Sequence, residues 1–268
     1  MSEAVPLHRR WRKPPFITKP WLRWGIYSGT VVYLIIAFAT ISVRWERVWA
    51  GLPRGLKYIL AFLSPDFVSR WGDIYEGFLE SLTITGASTV IGIAISIPIG
   101  LGGARNISPA PVYLLCRSII ALSRAFHELI VAILFVAMFG FGPFAGVLTL
   151  SFATIGFIAK LLAEEIENID PSQMESIRAT GATWKQLINY AVQPQVSPRM
   201  VGLSMYRLDI NFRESAIIGL AGAGGIGATL NTALDRYEYD SAAAILLTII
   251  LIVMITEYTS GYIRKFLA

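Results

Sequence analysis

The stretch Glu175-Ser-Ile-Arg-Ala-Thr-Gly181, followed by Pro194, is a polar segment between long apolar stretches of the chain. Helix signals precede it, because Asp170 can cap a helix and Pro171 suits the first helical position. Gln173 stands three residues after the cap, as in a capping box. An apolar face is offered by Met174, Ile177, Ala182, Trp184, Leu187 and Ile188. The sequence therefore predicts a short amphipathic helix that does not have the length to cross a membrane.

Gly181 has no Cβ, so a partner backbone can approach this helix closely. A docking element for another protein would have this character. An ordinary amphipathic connector is the alternative, and spacing alone does not separate the two.

The composition is that of a membrane protein. The chain has 268 residues, of which 54% are hydrophobic and 15% charged, with a mean hydropathy of +0.58. Soluble domains carry about 25% charged residues. A single cysteine, Cys116, excludes an internal disulfide and a multi-cysteine metal site. Only two histidines are present, His8 and His127, which disfavours a zinc enzyme; no metal site and no catalytic constellation are expected.

Long apolar segments predict an all-α, polytopic membrane protein with six transmembrane helices, since a span needs about 20 mostly apolar residues. The candidate spans are 25–43, 79–101, 112–139, 143–163, 198–220 and 242–263. The first follows a basic stretch, as a signal peptide would, but its apolar region exceeds the usual 7–15 residues or so. We therefore expect it to be retained.

Positive charge sets the predicted orientation. Arginines and lysines crowd residues 1–24, and cytoplasmic segments of membrane proteins are enriched in them. Both termini are then cytoplasmic, and so is the 164–197 loop with its polar helix. The 44–78 loop carries cations on the other side, but its tryptophans and tyrosines suggest helices on the outer membrane interface.

The predicted organisation has three parts. A basic cytoplasmic N-terminus covers 1–24, the first transmembrane helix and an outer interfacial loop cover 25–78, and a five-helix core covers 79–268.

A glycine-rich turn, Gly222-Ala-Gly224-Gly225-Ile-Gly227, follows the predicted fifth span. Its spacing matches a dinucleotide-binding fingerprint, but that motif requires a preceding strand in a βαβ unit. An apolar helical span precedes it here. We interpret the turn as a bend at the outer end of a pore helix, where glycines allow a sharp turn or close packing of two subunits.

Ionisable side chains inside predicted spans are costly, so they face partners or water. Two i,i+4 pairs are expected to share helical faces, Arg124 with Glu128 and Asp209 with Arg213. Arginine suits phosphate-like oxygens because its planar fork donates in pairs. The hypothesis is a hydrated translocation path lined by Arg124, His127, Glu128, Asp209, Arg213, Glu214 and Ser215; the alternative is that these groups only tie helices together.

The polar segment resembles the EAA loop of type I ABC importer permeases, E-A-A-x3-G-x9-I-x-L-P, with Glu175, Gly181 and Pro194 in register. Ser176 and Ile177 replace the two alanines. The stretch 207–227 and the R-x-x-x-E-L break at 124–129 are similar to those of phosphonate-transport permeases. The resemblance covers roughly residues 75–265.

The resemblance implies a permease subunit of an ATP-driven importer in the bacterial inner membrane, for phosphonate or a related small phosphorus oxyanion. It implies a cytoplasmic coupling helix with Glu175, Ser176, Ile177, Gly181 and Pro194 as ATPase-coupling residues. The implied partners are two ABC ATPase subunits, a second copy of the chain, a periplasmic or lipid-anchored substrate-binding protein and membrane lipid, with no nucleic acid. ATP and Mg would bind the ATPase, because this chain has no Walker-type Gly-rich Lys loop and is not expected to be an enzyme.

Three other interpretations remain at this stage. The chain could serve an ABC importer of another small solute. It could be a secondary transporter that uses its intramembrane charges for ion coupling, although no inverted repeat is evident. It could also be a membrane scaffold without transport.

Overall fold

A computed structural model describes residue 17, residues 19–41 and residues 44–267, with side chains up to Tyr262. His8 and most of the basic N-terminus predicted over 1–24 lie outside the described residues. The described residues that form regular structure are helical. The helices are α1 (Pro20–Thr40), α2 (Trp45–Ala61), α3 (Trp71–Gly102), α4 (Ala110–Ala125), α5 (Glu128–Phe139), α6 (Pro143–Glu167), α7 (Pro171–Ala179), α8 (Trp184–Leu187), a π-helical turn (Ile188–Val192), α9 (Gln193–Gly219), α10 (Ile226–Asp235) and α11 (Tyr239–Leu267).

The fold confirms an all-α membrane protein but not the count of six spans. Among the described helices, α1, α3, α6 and α11 are long and apolar enough to cross a membrane, and the α4–α5 pair can supply a fifth span. The predicted span at 198–220 lies in α9, which is not among them. Charged side chains interrupt the apolar character of α9 at Arg199, Arg207, Asp209, Arg213 and Glu214.

The predicted span at 112–139 is bent sharply at the R-x-x-x-E-L sequence. It consists of α4 and α5, which are bent by 92° at a short break. Phe126 and His127 adopt extended backbone at the break, and Nδ1 of His127 accepts a hydrogen bond from the backbone N of Leu129 at 3.2 Å. The histidine thus caps a new helix, and the chain changes direction at this point.

The chain divides into two compact units, one ending at Gly55 and the other beginning at Leu56. In the first unit, none of the residues of α1 is buried. The predicted interfacial loop at 44–78 contains α2, which is amphipathic, with a polar face around Arg47 and Arg54. Its location on a membrane surface remains a prediction.

The core of the second unit is the contact between α3 and α6, which is made by small residues. Ser88, Gly92 and Ser96 are buried on α3, and Ser151 and Thr154 are buried on α6. Oγ of Ser96 donates to the Gly92 carbonyl oxygen at 2.6 Å, so the hydroxyl is satisfied within its own helix. Small side chains let helix backbones approach closely where burial from water supplies little driving force.

We expect Gly92→Ala to destabilise the bundle, because the added Cβ would lie 2.5 Å from Cβ of Thr154. Overpacking of this kind typically costs about 1–3 kcal/mol. Gly86→Ala on the same helix is the matched control, since its Cβ meets no atom within 4 Å. Alanine there gains up to ~1 kcal/mol of helix propensity. Thermal unfolding of both variants in the same detergent should show opposite shifts, and equal shifts would contradict the packing argument.

An ionic cluster outside the predicted spans joins the start of α3 to the α10–α11 connection. Nε of Arg70 donates to Glu238, and Nη1 of Arg70 contacts Asp73 at 3.0 Å. The Asp66 backbone N donates to the Asp240 carbonyl oxygen at 3.2 Å. The hydrogen bond from Arg70 lowers the pKa of Glu238 below its ordinary value of 4.5.

Since the pKa of Glu238 is lowered in the folded protein, its pairing with Arg70 stabilises the fold above the unfolded pKa of 4.5. This stabilisation is lost as the pH falls through the lower, folded pKa. The effect is expected to be small because the pair is partly exposed. Thermal unfolding temperatures of wild type and Glu238→Gln should therefore converge as the medium is acidified below pH 4.5. A constant difference at all pH values would contradict the assignment.

Candidate functional site: a surface helix and a buried polar cluster

The segment that contains the EAA-like residues forms α7, a short exposed helix, and its start follows the sequence prediction in part. Asp170 caps α7, with its Oδ1 accepting from the Ser172 backbone N at 2.9 Å, and Pro171 is the first helical residue. This hydrogen bond lowers the pKa of Asp170. The expected capping box with Gln173 is replaced by a tertiary contact, since the Asp170 backbone N donates to Oε1 of Gln195 at 3.1 Å.

One face of α7 is fixed to the helical bundle. Met174 is buried and Ile177 packs against the same cluster, which also includes Ala104, Ile107, Leu162, Ala163, Ile166, Leu187, Ala191, Val192 and Val196. Nη2 of Arg178 donates to the Asn106 carbonyl oxygen at 3.2 Å. Nε1 of Trp184 donates to the Ile107 carbonyl oxygen at 3.0 Å. A movement of α7 would therefore also move the connection between α3 and α4.

The other face of α7 is open. Glu175 and Ser176 of α7 are exposed, as are Gly181 in the following turn and Pro194 in the first turn of α9, whereas Ile177 is half-buried. The segment from 171 to 185 is divided between α7 and α8, and Gly181, with a φ of +76°, lies in the turn between them. This left-handed conformation is strained for residues with a Cβ, while a Cβ at Gly181 would meet no atom within 4 Å. The glycine is thus required for the turn, which spacing alone did not indicate.

A buried hydrogen-bond network connects α9 to α3 and α6. Asn211 is fully buried, and its Nδ2 donates to Oγ1 of Thr89 at 2.8 Å and to Oγ1 of Thr154 at 3.0 Å. Arg207 lies one turn earlier on α9, and its Nε donates to the same Thr154 hydroxyl at 3.1 Å. Three helices are therefore held together by polar groups in the interior.

Arg207 is the most deeply buried cation of this region, with a side chain that is 3% exposed. Its Cζ lies 5.4 Å from the ring centroid of Phe157, and its Nη2 lies 4.0 Å from Oε1 of Glu128. Among the described residues, Nη2 has no hydrogen-bond partner. The Arg207 side chain forms part of the wall of a cavity of about 360 Å³ that is also lined by Arg124, His127 and Glu128.

A second ionic group joins α9 to α11. Asp209 is 7% exposed, and its two carboxylate oxygens accept from Nη2 of Arg213 at 3.2 Å and from Oγ1 of Thr256 at 3.0 Å. The predicted i,i+4 pair of Asp209 and Arg213 is thus confirmed. The guanidinium of Arg213 remains half-exposed.

The residues predicted for the translocation path are divided between two places. Arg124, His127 and Glu128 line the cavity beside Arg207, while Asp209, which pairs with Arg213, is bound to Thr256 of α11. The expected i,i+4 pairing of Arg124 with Glu128 is wrong, because the 92° break separates them and Glu128 faces Arg207 instead.

The two remaining predicted path residues lie on α9. Glu214 is half-buried, within electrostatic range of Arg207, Arg213, Glu128 and His127. Ser215 is buried, and its Oγ donates to the Phe212 carbonyl oxygen at 2.7 Å.

The charge of Arg207 within the predicted fifth span indicated that it faces a partner or water, but Arg207 was not among the residues predicted for the path. No role was predicted for Asn211 or for the threonines Thr89 and Thr154. The threonines carried no signal, since threonine is common on helices whether or not its hydroxyl serves a tertiary contact.

The glycine-rich turn packs against α3. Gly222, Gly224 and Gly225 all have positive φ values, of +90°, +79° and +74°. The Gly225 backbone N donates to Oε2 of Glu80 at 2.8 Å, and the Ile226 backbone N donates to Oγ of Ser81 at 2.9 Å. These groups occupy the start of α10, where a dinucleotide-binding motif would hold phosphate. The structure thus agrees with rejecting the nucleotide interpretation.

The long apolar helices and the broken α4–α5 pair define a multi-pass, all-α membrane protein. Residues 92–265 match the family described as binding-protein-dependent transport system inner membrane component. The chain belongs to this family.

Curated relatives agree with the family, and a solved structure shares the fold. The chain is 37% identical over 244 residues to the phosphate-import permease protein PhnE of Mycolicibacterium smegmatis, covering 91% of this chain and 46% of that protein. It is 38% identical over 216 residues to the phosphite transport system permease protein PtxC of Stutzerimonas stutzeri, covering 80% and 78%. An inward-facing structure of the MetNI methionine ABC transporter is similar with a TM-score of 0.64 at 23% identity, covering 73% of this chain and 96% of that chain.

We expect Asp209→Ala to destabilise the protein more than Arg213→Gln. The first change removes a buried carboxylate that holds both Arg213 and Thr256, while the second removes a half-exposed group that solvent can replace. Hydrogen bonds between membrane helices contribute about 0.6 kcal/mol on average and up to about 1.7. Unfolding temperature and yield of inserted protein are the measurements. A larger loss for Arg213→Gln would contradict this ranking.

Proposed function

We propose that this chain is the membrane-spanning permease subunit of an ATP-driven importer for small phosphorus oxyanions. The observation that carries the proposal is the exposed face of α7, which presents Glu175 and Ser176 beside the turn at Gly181 while the opposite face is anchored through Met174. A helix fixed to the bundle on one side and open on the other can pass movement from a partner into the membrane core. Family membership supports a transport role.

The proposed partners follow from this arrangement. Two ABC ATPase subunits carry the ATP and Mg and grip α7 from the cytoplasm, because no nucleotide-binding loop is recognised in this sequence. Two copies of the chain form the pore, since one copy supplies too few spans to enclose it and two-fold pairing is the commonest assembly. A periplasmic or lipid-anchored substrate-binding protein delivers the ligand. Both termini are cytoplasmic, in agreement with the positive-inside rule.

The ligand class is supported by the names of relatives, which include transport permeases for phosphate, phosphite and phosphonate. The buried and half-buried arginines Arg207 and Arg213 agree with an anionic cargo. The glycine-rich turn at Gly222–Gly227 is proposed to lie near the two-fold axis at the outer mouth.

Reconstitution tests the whole proposal. Proteoliposomes that contain the permease, its ATPase and the binding protein should accumulate labelled phosphonate or phosphite only when ATP is supplied to the ATPase. Omission of the ATPase should abolish uptake. Uptake driven by an ion gradient without the ATPase would instead indicate a secondary transporter, and no uptake of any oxyanion would indicate another solute or a scaffold.

Two substitutions at Gly181 separate the backbone requirement from the size of the side chain. Valine and asparagine are similar in volume, but asparagine tolerates the left-handed conformation that φ +76° requires. Gly181→Val should therefore reduce co-purification of the ATPase strongly while the chain still inserts, and Gly181→Asn should retain a larger part. Normal ATPase association of the valine variant would remove α7 from the proposed coupling interface.

A further inference from the structure

We propose that Arg207 and the cavity beside it form an oxyanion-binding site within the permease itself, with Glu128 as the carboxylate that an entering ligand displaces. The proposal rests on the proposed function for the phosphorus class of the ligand. It differs from a path lined by exposed arginines, because the recognising group is a single buried guanidinium.

The first observation is the unused donor of Arg207. The side chain is 3% exposed, its Nε is bound to Thr154, and its flat face lies 5.4 Å from the Phe157 centroid. Among the residues that the structure describes, Nη2 has no hydrogen-bond partner. A buried donor without a partner is unfavourable, so an oxyanion that displaces the neighbouring Glu128 carboxylate would gain a hydrogen bond from this nitrogen.

The second observation is the cavity onto which Arg207 opens. Its volume of about 360 Å³ lies at the small end of ligand pockets, which range over about 300–1,000 Å³. Arg124 and His127 contribute further donors, and Ser123 lies in the wall with its hydroxyl already donated to the Phe152 carbonyl oxygen at 2.6 Å. The lining suits a compact anion with several oxygens.

The third observation is the loose contact with Glu128. Its Oε1 lies 4.0 Å from Nη2, which is an ion-pair distance and too long for a hydrogen bond. The carboxylate therefore balances the charge of Arg207 without satisfying its donor. An oxyanion at the usual distance of about 2.7–2.9 Å would do both, since charge-assisted bonds to a planar guanidinium are short and strong.

The position of Glu128 gives this exchange a mechanical consequence. Glu128 is the first residue of α5, directly after the 92° break that His127 caps. A ligand that replaces Glu128 at Arg207 releases the start of α5 from α9. The contact between α5 and α9 at this break would then change when cargo binds.

Direct binding to the full-length chain in lipid nanodiscs, without ATPase or binding protein, tests the site. The probe is radiolabelled inorganic phosphate in equilibrium dialysis, with methylphosphonate and phosphite as competitors. We expect saturable binding in the wild type and a loss of roughly tenfold or more in Arg207→Gln, as for removal of a charged hydrogen-bond donor. Arg207→Lys should be intermediate, since it keeps the charge and loses the fork.

Two further variants keep the test decisive. Arg199→Gln is the matched control, because Arg199 also lies on α9 but is 66% exposed and pairs with Glu165; phosphate binding should be unchanged. Glu128→Gln removes the competing carboxylate and should tighten phosphate binding. Thermal unfolding of each variant reports whether the fold is intact.

The proposal is overturned if the wild type shows no saturable phosphate binding, or if Arg207→Gln binds as the wild type does. It is also overturned if Arg207→Gln unfolds while Glu128→Gln binds no more tightly. ATP-dependent uptake in the reconstituted importer together with absent binding to the permease would remove this site and leave the proposed function standing.

Discussion

The hydroxyl of Thr154 on α6 receives hydrogen bonds from both Asn211 and Arg207 of α9, at 3.0 and 3.1 Å. A helix with the charge content of α9 is costly to bury among apolar helices unless its polar groups find partners inside. The small residues of α3 and α6 create the space for this contact, and Asn211 extends it to Thr89 of α3. The position of α9, and therefore of every charge it carries, depends on these hydrogen bonds to Thr154 and Thr89.

The same two helices, α6 and α9, link the ends of the core. At one end, Ala223 of the glycine-rich turn packs beside Gly146 of α6, where a Cβ would approach the Ala223 carbonyl oxygen to 2.6 Å. At the other end, Ile166 of α6 and Val196 of α9 lie in the apolar cluster that anchors α7. A displacement of α7 would therefore also displace α9, which bears Arg207 and Asp209. Close packing makes such transmission efficient, because a dense interior does not absorb movement.

Sequence reasoning identified the elements with local signals. The cap at Asp170, the proline at the start of α7 and the i,i+4 pair on α9 each depend on residues a few positions apart. The R-x-x-x-E-L resemblance marked a break at 124–129, but its 92° angle was not predicted, since apolar residues on both sides extend the hydrophobic pattern through it. The pairing of Glu128 with Arg207 was not predicted either, because it joins residues that are distant along the chain.

The capping box was misassigned for the same reason. Gln173 had the correct spacing, but Gln195 reaches Asp170 from another helix, while a genuine capping box formed at Thr183 and Gln186. A spacing rule states which contact is possible within a segment. Tertiary packing decides which of several equivalent side chains makes it.

The distribution of negative charge explains why an external anion would be recognised by arginine in this chain. Helix N-termini are natural anion sites, because their free backbone N–H groups and dipole attract negative charge. Here Asp170 occupies the start of α7, Glu80 the start of α10, and Glu128 stands in the first turn of α5. The chain thus neutralises these three positive helix ends with its own carboxylates. Arg207 differs from these helix ends, because its Nη2 has no hydrogen-bond partner among the described side chains. Its guanidinium is therefore the group that we propose for recognition of an external anion.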